Sequence, residues 1–268
     1  MKVYLAMEEQ YFDYADLGSP LAINVPLGIT NNEDADLYFK ALLESPPEGY
    51  SDYEKALGAV SAGSTKKALF TFSRDKPAAE TVDELFLRLI AYTDPDYTTP
   101  YGSLTAKIRL HLIDHDDPSW DIIDHDDFND QTYQGWGACA GSPDFGLGTG
   151  YGISTNYDYW DDHYISGPYA LFNYRGTSGS DYLGKDFSVP SGYKEAVLVL
   201  HIWRNTDRIA VKVGDKLLVP AGQGYPTGRW IRTCCSIPTG ATTRAGIGGS
   251  LVSGDDRFWL DEVFCIAR

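Results

Sequence analysis

The feature that most constrains this chain is an alternation from Leu104 to Ile113. Leu104, Ala106, Ile108, Leu110 and Leu112 fall on one side, and Thr105, Lys107, Arg109 and His111 on the other. A period of two fits a half-buried strand of an antiparallel sheet, not an amphipathic helix. Glu84–Tyr92 alternates in the same way and ends at Asp94-Pro95. Leu21–Ile29, Leu37–Glu44 and Lys67–Phe72 are further strand-like runs, bounded by turn signals such as Thr30-Asn31-Asn32 and Pro46-Pro47. Strands at that spacing predict a small β-sandwich. Two short pieces, Asp52–Leu57 and Ala78–Leu85, read as helical turns.

Beyond Pro118 the character changes. All 6 Trp and all 4 Cys lie there, while the excess of acid is heavier before it. The residues up to Pro118 carry −10 and the rest −6 of a net charge of −16. Two domains follow: residues 1–114, a linker over 115–120 that ends near a stiffening Pro, and residues 121–268. Strands are predicted in the second domain at Tyr169–Tyr174, Ala196–Trp203, Arg208–Val213, Trp230–Thr233 and Arg257–Ile266, with a hairpin turn at Gly214-Asp215. An acidic surface repels phosphate backbones, so nucleic acid is excluded as a general partner. No run approaches the ~18 apolar residues of a membrane-spanning helix.

The start, Met1-Lys2-Val3-Tyr4-Leu5-Ala6-Met7 followed by Glu8-Glu9, lacks the apolar core of ~7–15 residues that a secretory signal needs. The four cysteines allow three complete pairings, among them links Cys235–Cys265 and Cys139–Cys234. The simpler reading is reduced, buried Cys acting as small apolar residues.

The second domain carries three short motifs in order. Asp126-Asp127-Phe128 leads to Gly135-Trp136, Ser166-Gly167-Pro168-Tyr169-Ala170-Leu171 lies mid-chain, and Phe258-Trp259-Leu260-Asp261-Glu262-Val263 closes it. Together they resemble jelly-roll carbohydrate-binding modules over residues 121–268. The first domain resembles immunoglobulin-like or fibronectin-type sandwiches in the order of its strands, without a Cys–Trp–Cys signature. The fold class expected is therefore all-β, an Ig-like β-sandwich followed by a jelly roll.

That resemblance directs attention to two aromatic segments. On Ala196–Arg204 the even positions Leu198, Leu200 and Ile202 form a core row, and Val197, Val199, His201 and Trp203 face the other way. In a jelly roll that second face can be a concave cleft, where the apolar face of a sugar stacks on an indole. The alternative is that Trp203 is simply core. Tyr157-Asp158-Tyr159-Trp160-Asp161-Asp162-His163-Tyr164 interleaves rings and carboxylates between Gly-rich stretches, as a binding loop does. It equally suits a subunit interface. The glycan-binding candidates are thus Tyr157, Tyr159, Trp160, His163, Tyr164, His201 and Trp203.

Asp-His-Asp-Asp occurs twice, at 114–117 and 124–127. Clustered Asp suits a hard cation that takes several oxygen ligands. The resemblance implies a structural calcium held by Asp126 or Asp127 with Asp261, whereas the first copy reads as a solvated acidic linker. No nucleophile elbow, phosphate-binding loop or zinc-protease motif is present.

The expectation from sequence is a non-catalytic structural or attachment protein that recognises glycans or cell-surface polysaccharide and self-associates. Without a leader, the setting expected is a virion or tail-fibre surface. The rival settings are the accessory region of a secreted polysaccharide-degrading enzyme and a purely structural filament or capsid subunit.

Overall fold

The computed structural model describes residues 2–5, 9–140, 144–149, 169–174, 179–219, 221, 227–251 and 258–268. The chain divides into two compact units, Met1–Asp114 and His115–Arg268. Among the described residues both are all-β, without helices.

The first unit contains β1 (Lys2–Leu5), β2 (Glu9–Asp13), β3 (Leu21–Thr30), β4 (Leu37–Glu44), β5 (Tyr50–Ser51), β6 (Glu54–Val60), β7 (Thr65–Arg74), β8 (Thr81–Tyr92) and β9 (Pro100–Ile113). One sheet has the order β1-β3-β7-β5 and the other β2-β9-β8-β4-β6. Alternate residues point inward from each. Ile23, Val25 and Leu27 of β3 and Phe70 and Phe72 of β7 share a buried core with Phe39, Leu87, Leu89, Ile108 and Leu110. The alternation that predicts β9 therefore marks its buried row from Ile108 to Leu112.

A clasp joins the two sheets of this unit. The Tyr50 hydroxyl of β5 donates to Asp83 Oδ2 of β8 at 2.6 Å. Arg74 Nε of β7 donates to the same oxygen at 3.2 Å, and its guanidinium lies over the Tyr50 ring. Burial and the Asp83 carboxylate push the Tyr50 phenol well above its ordinary range.

Both helical expectations fail. Residues 54–60 are β6, paired with β4, and β8 begins at Thr81 inside the second expected helix. Helix-tolerant residues such as Glu54, Lys55 and Ala56 follow the sheet because tertiary pairing outweighs propensity of a few tenths of a kcal/mol each. Gly58, at φ +80°, takes up the irregularity in that pairing.

The second unit contains β10 (Asp121–Asp126), β11 (Gly137–Ala140), β12 (Asp144–Thr149), β13 (Tyr169–Tyr174), β14 (Gly179–Val189), β15 (Ala196–Arg204), β16 (Ile209–Val213), β17 (Lys216–Val219), β18 (Trp230–Ser236), β19 (Ala241–Leu251) and β20 (Phe258–Ala267). One sheet runs β12-β13-β20-β15-β18, with β10 also paired to β20; the other runs β11-β14-β19-β16-β17. Leu183, Phe187, Val211 and Ile247 of the second sheet are buried, as are Leu198, Leu200 and Ile202 of the first.

The reading of reduced, buried cysteines holds for Cys234, Cys235 and Cys265, and the Cys235–Cys265 link is ruled out. Cys235 and Cys265 both register against Leu198, one from each side of β15. They stand two strand spacings apart, roughly 9.5 Å, beyond the ~7 Å that a disulfide spans. Cys234, Cys235 and Cys265 are buried and not bridged to one another. Burial pushes the Cys235 and Cys265 thiols up to about 12. Of Cys139 only the backbone, in β11, is described.

Gly249 of β19 sits against Ile209 of β16, where an added Cβ would overlap the Arg208 carbonyl oxygen. Gly249→Ala should therefore destabilise the protein by about 3 kcal/mol, as overpacking does. Urea unfolding checks this; an unchanged midpoint would show that β16 can yield.

Candidate functional site

β15 lies between β20 and β18, and its odd and even residues face opposite ways. Three rungs cross the odd face. Trp203 is opposite Trp259 on β20 and Trp230 on β18. His201 is opposite Asp261 and Arg232, and Val199 is opposite Phe264 and Cys234. The tryptophan rung therefore draws one indole from each of three adjacent strands. Trp203 and Trp259 meet edge to face, with centroids 4.7 Å apart and planes at 88°. Trp203 and Trp230 pack on the buried pair Ala170 and Trp259, and both keep part of their surface exposed. On β13, the backbone of Phe172 stands in register with that of Trp259.

The next rung is polar, and a β-bulge shapes it. Between Val199–Phe264 and His201–Asp261, β20 advances by one residue more than β15. The extra residue is accommodated at Glu262, which has φ +49°, a left-handed conformation unusual for a non-glycine residue. His201 Nδ1 donates to the Glu262 carbonyl oxygen at 2.6 Å. Arg232 Nε donates to His201 Nε2 at 2.5 Å. The Glu262 carboxylate lies 2.7 Å from His125 Nε2. The His125 ring stacks on Phe264, with centroids 4.2 Å apart. That carboxylate holds His125 above its ordinary pKa, against partial burial. The Glu262 N–H donates to the buried carboxylate of Asp261 at 2.9 Å.

Of the sequence candidates, His201 and Trp203 come together on adjacent rungs of one face. Tyr157, Tyr159, Trp160, His163 and Tyr164 lie outside the described residues. Sequence reading missed Trp230, Trp259, Arg232, Glu262 and His125. Trp230 and Arg232 stand two apart in a predicted strand, but their match to Trp203 and His201 needs the strand register, which one sequence does not show.

The calcium expectation meets a different arrangement. Asp126 is buried, and both of its oxygens are occupied: Lys185 Nζ lies 2.6 Å from Oδ1 and Trp136 Nε1 donates to Oδ2 at 2.8 Å. Lys185 also reaches Asp124 at 2.8 Å. An ammonium thus stands where a cation would. Burial raises the Asp126 pKa, and Lys185 and Trp136 oppose the rise. Asp127 Oδ1 instead accepts the Asn129 N–H at 3.1 Å. Among the described residues, Asp126, Asp127 and Asp261 do not converge as a three-ligand set. Asp126, with both oxygens committed to Lys185 and Trp136, does not fit a calcium ligand. Within the second unit, the repeated Asp-His-Asp-Asp instead brings His115 and His125 onto the same Phe264 ring.

No protein-family model matches the chain, and no curated protein matches it in sequence. Solved structures resemble it in fold only. The N-terminal CBM22-1–CBM22-2 tandem domain of Xyn10C from Paenibacillus barcinonensis is 11% identical, with 91% of this chain and 83% of that one covered and a TM-score of 0.40. The K3 cleaved adhesin domain of Lys-gingipain from Porphyromonas gingivalis is 12% identical, covering 55% and 98%, with a TM-score of 0.38. The CBM22-1–GH10 modules of Clostridium thermocellum Xyn10B, complexed with xylohexaose, are 13% identical, covering 55% and 28%, with a TM-score of 0.38. At these values the likenesses carry no functional weight.

Two outcomes follow from the site's electrostatics. EDTA should leave the melting temperature unchanged, whereas Lys185→Met should cost about 3–5 kcal/mol by stranding the buried Asp126. A fall in melting temperature with EDTA would restore a metal at Asp127 and Asp261. The second outcome concerns His125, whose folded pKa lies above its unfolded value of 6.5. Its bridge to Glu262 contributes fully below that value and is lost as pH rises through the folded pKa. Denaturant midpoints should therefore fall with rising pH more in the parent protein than in Glu262→Gln. Parallel curves would remove the bridge from the stability balance.

Proposed function

We propose that this chain is a non-catalytic glycan-binding protein whose second unit stacks sugar rings on Trp203, Trp230 and Trp259. The observation that carries this reading is the cross-strand tryptophan rung, two of whose members are partly exposed, beside the partly exposed Arg232. Indole faces suit the apolar face of a pyranose, and hydrogen-bonding side chains beside them suit its hydroxyls. The carboxylates on this face support a binding role rather than hydrolysis. Glu262 is tied to His125, and Asp261 is fully buried and accepts the Glu262 N–H. A glycosidase acid pair would instead flank an open bond at a separation of roughly 5–9.5 Å.

The setting we adopt is extracellular, as the accessory region of a polysaccharide-degrading enzyme or an attachment module. The virion or tail-fibre setting gains no support from the fold, the site or the comparisons.

Calorimetric titration with a panel of neutral soluble oligosaccharides, xylohexaose included, tests the proposal. Binding should be accompanied by a change in tryptophan fluorescence. Trp203→Ala or Trp230→Ala should weaken it about tenfold, the worth of one aromatic contact at ~1.4 kcal/mol. Failure to bind any sugar of the panel would sink the reading.

A further inference from the structure

We infer that Trp230 turns its indole on binding and donates its Nε1–H to an oxygen of the sugar. This member of the rung then supplies a directional hydrogen bond as well as a stacking face. The ligand in this inference rests on the glycan reading.

The observation behind it is a donor without an acceptor. Trp230 Nε1 is closed off from solvent and has no hydrogen-bond partner among the described residues. An indole nitrogen only donates, and a buried donor with no partner costs folding free energy. Native structures pair nearly all such groups. Trp136 shows the ordinary solution within the same unit, where its Nε1 donates to Asp126 Oδ2 at 2.8 Å. Trp230 departs from that pattern at the place where the indoles of three strands meet.

The residue as a whole is partly exposed. Nε1 is the one polar atom of the ring, so whatever part of the ring meets solvent is carbon. The polar edge thus faces inward. Trp230 packs there on Ala170 and Trp259, with Trp203 as its cross-strand neighbour. A methyl group and two indoles have no side-chain acceptor to offer an N–H. The free protein therefore holds this ring with its polar edge in the wrong place for hydrogen bonding.

A turn about the bond between Cβ and the ring corrects this. That torsion is broad and roughly two-fold, so the inward and outward edges exchange without moving the backbone of β18. A ligand favours the turned state only if it binds that state better. A sugar does so, because its hydroxyl and ring oxygens carry lone pairs that accept the N–H. Stacking tolerates any apolar sugar face, whereas the bond requires an oxygen at one position. Trp230 is thereby the selective member of the rung.

The test uses the whole chain and two readouts. In ¹H–¹⁵N spectra recorded without sugar, the Trp230 indole N–H, assigned by its loss in Trp230→Phe, should lie upfield of the hydrogen-bonded N–H of Trp136. Xylohexaose should move it downfield, a change that ring size alone does not produce. In xylohexaose titrations, Trp230→Phe keeps an aromatic face but loses the donor, and binding should weaken about fivefold, the net worth of one hydrogen bond. The spectrum of Trp230→Phe also checks that the fold tolerates the change. A Trp230 N–H that stays in place when the sugar binds, or a Trp230→Phe variant that binds as the parent does, would overturn the inference and leave the glycan reading standing. If the parent binds no sugar, the glycan reading fails and the sugar-directed donor fails with it.

Discussion

One extra residue in β20 determines which side chains share the face of Trp203 and His201 in the second unit's first sheet. Before the bulge, Trp259 and Asp261 face the same way as Trp203 and His201. After it, the parity changes, so that Phe264 and Ile266 take that face and Cys265 registers with the core residue Leu198. In an unbroken strand, a one-residue shift would have turned either the tryptophan or the phenylalanine to the wrong side. The bulge lets one strand hold a tryptophan rung at one end and an imidazole-stacked phenylalanine at the other. Its strained residue, Glu262, is also the one that binds both histidines.

This explains what the sequence could and could not reveal. β15 was legible because its odd and even residues differ in kind, and the face carrying His201 and Trp203 followed from counting alone. β20 was legible as a strand but not as two half-strands of opposite parity, since every residue in it is buried and no polar row marks the switch. β14 and β19 left little trace. They pair over eleven positions, but Gly246, Gly248 and Gly249 give β19 no side-chain rhythm. Gly249 is there because a neighbouring backbone comes too close for a side chain, which is information about register rather than periodicity. The β6 misreading is the converse: helix-compatible residues were drawn into a sheet by a partner strand the local window does not contain.

The same limit applies to charge. The Asp-His-Asp-Asp motif at 124–127 has the composition of a cation site, and only the fold shows that its most buried carboxylate already has a cation. Lys185 lies 59 residues away in sequence and 2.6 Å away in space. Burying a carboxylate alone is costly, and a lysine with a second carboxylate and an indole N–H offsets that cost without a metal. A motif of acids thus says that positive charge is needed nearby, but not whether an ion or a side chain supplies it.

The acidic excess of the first unit can be resolved in the same way. Along its second sheet the charges pair across strands: Glu84 with Lys107, Arg109 with Glu9, Arg88 with Glu44, and Lys40 with Glu54. Such exposed pairs add little stability, but they leave this face nearly self-neutral. Several of the remaining acids sit in turns and serve the backbone. Asp94 accepts the N–H groups of Asp96, Thr98 and Thr99, and these bonds, that from Thr98 foremost, hold its carboxyl down at about 2. Asp36 accepts from Ala62, and Glu80 from Asp114. Asp94 closes a turn of its own backbone, whereas Asp36 and Glu80 tie down the N–H groups of distant segments. Part of the acidic excess therefore has a local explanation in ion pairing across strands and in carboxylates that accept from the backbone. The recognition chemistry we propose belongs instead where the aromatic residues are concentrated, on the face that β15, β18 and β20 build together.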